Sequence, residues 1–119
     1  MLALREEILV ECSYEKVYKG KALFEIVKGI RQHNGDVATI ATDEFRATLR
    51  RMVNGDGLLE PWLGIKNKKT QRIRFVRLED ISEFDPVKIF YRLTFYGNQR
   101  KGIELTNLIS SMLARKLRK

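Results

Sequence analysis

The sequence predicts an α+β domain, and three observations carry that expectation. Apolar residues recur at helical spacing in three separate stretches, near residues 19–33, 43–54 and 103–118. Between the second and third stretches, apolar and polar residues alternate as they do in strands with one buried face. The 119 residues are 44% apolar and 32% charged, which suits a single domain with an ordinary core. Such a chain is too apolar to stay disordered and too charged for a membrane protein.

Taken in order, residues 2–15 read two ways. Ile8, Val10 and Cys12 alternate as in a strand, while a helix fits the same stretch. Helical spacing is firm over Lys19–His33, where Leu23, Ile26, Val27 and Ile30 form one apolar stripe opposite Lys21, Glu25, Lys28 and Gln32. Asn34-Gly35 supplies the left-handed stop expected past a helix end. Asp36–Ala41 is short and β-branched and suits a brief strand or a tight helical turn. Thr42 is placed to cap a second helix over Asp43–Asn54, with Asp43 and Glu44 at the positive end of its dipole. Phe45, Leu49, Met52 and Val53 share the apolar face of that helix. Arg46, Arg50 and Arg51 fall outside it, around Ala47, and Gly55-Asp56-Gly57 ends it.

Leu58–Ile65 and Arg72–Leu78 are expected to pair through the turn Lys66–Gln71. A third strand is expected over Ile89–Phe95, with Pro86 as an alternative helix start. The last helix, Glu104–Arg118, carries the stripe Leu105, Leu108, Ile109, Met112 and Leu113, which must pack on the core or on a second chain.

Net charge is +8, so a polyanion is the first partner to consider, and nucleic acid is the commonest. The charge is segregated. Gly64–Leu78 holds Lys66, Lys68, Lys69, Arg72, Arg74 and Arg77 without an acid, and Arg115, Lys116, Arg118 and Lys119 close the chain. Acids gather at Glu6, Glu7, Glu11 and Glu15, and again at Glu79, Asp80, Glu83 and Asp85. No apolar run approaches the roughly 20 residues of a spanning helix. Glu6 and Glu7 come too early for a secretory signal, and Cys12 is the only cysteine, so the expected setting is reducing and cytoplasmic.

Three stretches carry a resemblance. RATLRRMVNGDGLLE (Arg46–Glu60) looks like the end of a recognition helix entering the turn that starts a wing. GIKNKKTQRIRF (Gly64–Phe75) looks like a basic wing. YRLTFYGNQRKGIELTNLI (Tyr91–Ile109) is similar to the Y-x-L-T-x-x-G strand and following helix of PadR-like and related archaeal and bacterial regulators. Over residues 20–113 the chain thus resembles a winged helix-turn-helix domain. The resemblance implies a transcriptional regulator of double-stranded DNA, with Arg46, Arg50 and Arg51 in the major groove and Lys66, Lys68, Lys69, Arg72 and Arg74 on the backbone. It also implies a homodimer joined by the last helix.

Other classes remain open at this level. Tyr91, Phe95 and Tyr96 beside arginines would suit an RNA-stacking sheet face, and a winged-helix architecture would also serve a protein–protein adaptor without DNA binding, with the last helix as its contact. An enzyme is not expected. His33 is the one histidine and stands at a helix end, and no glycine loop for phosphate or nucleophile motif is present. The acids at 79–85 have carboxylates for a divalent cation but no metal-loop spacing, so neither a metal nor a cofactor is expected.

Overall fold

Leu4, Ile8 and Cys12 recur every fourth residue, and at the start of the chain the helical reading wins over the alternating one. The structure is a computed structural model describing residues 3–33, 35 and 40–117. Helix α1 (Leu4–Glu11) buries Leu4, Ile8 and Leu9, with Cys12 buried just beyond it and Val10 left at the margin. Burial pushes the Cys12 thiol up to about 12, with Lys101 opposing and Glu11 adding to the rise, so the sulfur stays neutral. Strand β1 (Tyr18–Lys19) is too short to leave a sequence period and was not expected.

Helix α2 (Gly20–His33) lies where its stripe predicts, but its buried face is rotated. Leu23 and Val27 are buried, and Phe24 meets Phe45 edge-on at 5.0 Å between ring centroids. Ile26 and Ile30 are exposed instead. In the last turn Arg31 points inward, and its guanidinium donates to Glu7 of α1 at 2.9 and 3.1 Å and ties the two helices together. Gly35 has φ 79°, the left-handed stop. Asn34, and Asp36–Thr39 of the expected extended piece, lie outside the described residues.

Helix α3 (Thr42–Arg50) has Ala41 in the cap position, and Thr42, expected to cap, is its first helical residue. Phe45, Leu49 and Met52 are fully buried, as their spacing predicts. The helix closes in a π-turn over Arg51–Gly55, where Asp56 N–H reaches back to the Arg51 carbonyl at 2.8 Å. The wider turn keeps Met52 in the core while the chain reverses into the sheet.

The four strands form one antiparallel sheet in the order β1-β4-β2-β3. Strands β2 (Leu59–Lys66) and β3 (Ile73–Arg77) make a hairpin with Trp62 opposite Arg77, Gly64 opposite Phe75 and Lys66 opposite Ile73. Strand β4 (Phe90–Leu93) lies between β1 and β2, with Tyr91 opposite both Tyr18 and Pro61. Leu59, Pro61, Tyr91 and Leu93 face the helices and are buried. The Tyr91 hydroxyl donates to the Pro86 carbonyl at 2.6 Å, and burial raises its phenol well above the ordinary range. The segment between β3 and β4 is anchored by buried Ile81. It ends in a single 3₁₀ turn, Pro86–Lys88, so the alternative helix start at Pro86 yields only that turn.

The expected third strand is too long and the expected last helix too short. Strand β4 stops at Leu93, and α4 runs over Phe95–Leu117. Thr94 is the N-cap: its Oγ1 accepts from Gly97 N–H at 2.8 Å and donates to the Gly57 carbonyl at 2.6 Å. Gly97 is read as a turn from sequence, yet it is helical. It is glycine because a Cβ there would stand 2.0 Å from the Leu58 carbonyl oxygen, so α4 docks on the start of β2 through a bare backbone. After Leu105 the helix leaves the body, and 106–114 are exposed on every side.

Candidate nucleic-acid interface

The β2–β3 hairpin presents its cations on a shaped tip. Asn67 organises the turn: its N–H donates to the Arg72 carbonyl at 2.8 Å, and its Oδ1 accepts from Lys69 N–H at 2.9 Å and Thr70 N–H at 3.3 Å. Gln71 takes a left-handed φ of 60° and donates from its side chain to the Lys68 carbonyl at 3.0 Å. Lys66, Lys68, Lys69, Arg72 and Arg74 are all exposed, and none is in an ion pair among the described residues. They do not share one face. Lys66 lies on the open side of the sheet, Arg74 on the other side opposite Ile65, and the rest at the tip. Such a set presents positive charge on both sides of the hairpin as well as at its tip.

Arg46 and Arg50 of α3 and Arg51 of the following π-turn part company. Arg46 is drawn sideways to Asp85 at 3.0 Å, with Asp43 at 3.5 Å, and is committed to tying α3 to the segment before β4. Its hydrogen bond holds the Asp85 carboxyl below the usual range. Arg50 and Arg51 are exposed and unpaired among the described residues, on either side of Ala47. Asp43 at the start of the same helix is also exposed. Any polyanion against α3 therefore meets repulsion at the first turn and attraction at the last.

The sheet face turned away from the helices carries residues that sequence reading missed. The pairing puts Phe90 of β4, Trp62 of β2 and Phe75 of β3 on one surface, with Lys19, Arg92, Arg77 and Lys66 around them. Phe75 and Phe90 meet edge-on at 5.1 Å across Gly64, where a Cβ would stand 2.6 Å from the Phe90 ring. Lys19 lies over Phe90 at 5.9 Å and Arg92 over Trp62 at 5.4 Å. Glu60 is the one acid that the pairing puts on this surface among the described residues, and Arg77 and Arg92 both bind it. By contrast, Tyr91, Phe95 and Tyr96 build no such platform. Tyr91 is buried, and Phe95 and Tyr96 are exposed on the first turn of α4 rather than on the sheet. Only the strand register could have exposed this difference.

No protein-family model, curated protein or solved structure matches the chain. The residues themselves carry the functional reading.

On α4, Leu105 is half covered, while Leu108, Ile109, Met112 and Leu113 stand 39–56% exposed. The basic tail Arg115, Lys116, Arg118 and Lys119 lies outside the described side chains. His33 ends α2 and is exposed, and Asp80 and Asp85 spend carboxylate oxygens on the backbone N–H groups of Ser82 and Val87. No helix among the described residues is long and apolar enough to cross a membrane.

Proposed function

We propose that the protein is a winged-helix transcriptional regulator that binds double-stranded DNA as a homodimer. The observation that carries the reading is the β2–β3 hairpin, whose five exposed cations have no acid among them and no ion-pair partner among the described residues. The element order supports it. Two helices follow a short strand and lead into a sheet in which that strand pairs with β4, and β4 with β2. In this reading β3 is an added edge strand that lengthens the wing.

Lysines at the tip hold phosphates and set affinity and salt dependence. Arg50 and Arg51, with Ala47 between them to allow close approach, face the groove from the end of α3 and the start of the π-turn. Arg46 belongs to the scaffold. The decisive experiment is fluorescence anisotropy of a random duplex over a salt series. Tight binding that weakens steeply with salt is expected, and no binding at low salt would exclude the reading. Arg50→Ala should cost about 1–3 kcal/mol on the preferred site and less on random DNA, whereas equal losses on both would remove its base-reading role.

The dimer rests on α4. A helix whose 106–114 stretch is exposed among the described residues, yet bears an apolar stripe, is marginal in water alone and gains most from a second copy of the same stripe. Ile109→Asp should turn the dimer into a monomer in sedimentation velocity and lower affinity for a two-half-site duplex more than for a single site. A wild-type monomer at binding concentrations would refute it.

A further inference from the structure

We propose that the open face of the sheet docks a single strand of DNA, on a surface separate from the hairpin tip. Phe90, Trp62 and Phe75 come from three adjacent strands and lie on the side away from the helices, Phe75 39% exposed and Trp62 and Phe90 half-buried beneath Arg92 and Lys19. Three neighbouring strands span about 10 Å, room for unpaired bases to lie against rings while the backbone runs past the rim. Lys19, Lys66, Arg77 and Arg92 supply four positive charges to that rim against Glu60 alone, so the face is complementary to a phosphate chain.

A duplex hides its base faces, and aromatic rings gain nothing from it that an unpaired strand does not offer. Among the described residues, the paired strands put no hydroxyl or amide side chain on this surface, and its one carboxylate is held by two arginines. No side chain among the described residues of this face is a free acceptor for the hydrogen of a ribose 2′-hydroxyl, so ribose gains little over deoxyribose here and the occupant we assign is DNA. Stacking without base-edge partners also makes binding tolerant of sequence.

Trp62 is the only tryptophan, so its emission reports this face directly. A thymidine strand of about 15 nucleotides should shift that emission saturably. Phe75→Leu keeps the apolar cover and removes the ring, and should weaken binding about 5- to 100-fold, while Phe75→Tyr should bind as wild type does. The double variant Lys68→Ala/Lys69→Ala should lose duplex affinity and keep the response to the single strand, which separates this proposal from the duplex reading. Four results would overturn it. These are unchanged emission, a Phe75→Leu variant that binds normally, tighter binding of a ribo-strand, or emission that follows protein concentration and ignores DNA. The last would assign the face to a second copy of the chain.

Discussion

Replacing Lys66, Lys68, Lys69, Arg72 and Arg74 together by alanine is expected to weaken duplex binding about a thousandfold at physiological salt. Each neutralised phosphate contributes about 0.9 to the slope of log affinity against log salt, so five contacts account for a slope of about 4.5. At 0.15 M salt that sum corresponds to more than three decades of affinity on the same relation. The fold should hardly notice. All five side chains are exposed and unpaired among the described residues, and surface changes of that kind stay within about 0.5 kcal/mol each. Removing mutual repulsion between cations would if anything raise the melting temperature. The measurement is anisotropy over a salt series beside a thermal melt of the same preparation. An unchanged slope with an unchanged melt would move the interface away from the hairpin.

Gly97→Ala is expected to be the most damaging single methyl group in the chain. Its Cβ would stand 2.0 Å from the Leu58 carbonyl oxygen and 2.9 Å from the carbonyl carbon, and neither is a side chain that can swing aside. The same carbonyl accepts from Thr94 N–H at 3.1 Å, so any shift that makes room also opens the joint between β4, α4 and the start of β2. We expect a loss of about 3 kcal/mol or more, the upper end for overpacking and a large part of a domain's stability. Gly102→Ala is the internal control. Nothing lies within 4 Å of its Cβ, and an alanine there should stabilise the helix by about 0.5–1 kcal/mol. Paired thermal melts test both. Two variants with equal melting temperatures would show that α4 does not dock as described.

The start of α4 is hidden in the local sequence. Leu93-Thr94-Phe95-Tyr96-Gly97 looks like the end of an alternating strand and a turn, because aromatics favour strands and glycine favours turns. A threonine three residues before a glycine shows no capping box, since glycine has no side chain to return the bond. The cap forms all the same, with Thr94 Oγ1 bridging Gly97 N–H and the Gly57 carbonyl. The partner that explains the glycine, Leu58, is 39 positions away in the chain. Arg46 is a similar case. Its place on α3 is legible, but its commitment to Asp85 follows only once the segment before β4 is folded against that helix.

By itself the sequence determined the α+β class, the bounds of α2, the buried stripe of α3, the basic hairpin and the bare apolar stripe of α4. Each is written in neighbouring residues, through helical or alternating spacing and through charge that sits in one stretch. Tertiary structure alone decided the helical state of the first residues, the two-residue strand β1, the pairing of Arg31 with Glu7 and the start of α4. It alone gathered Trp62, Phe75 and Phe90, because strands β2, β3 and β4 bring side chains together by register, and register depends on hydrogen bonds between segments that no local pattern encodes.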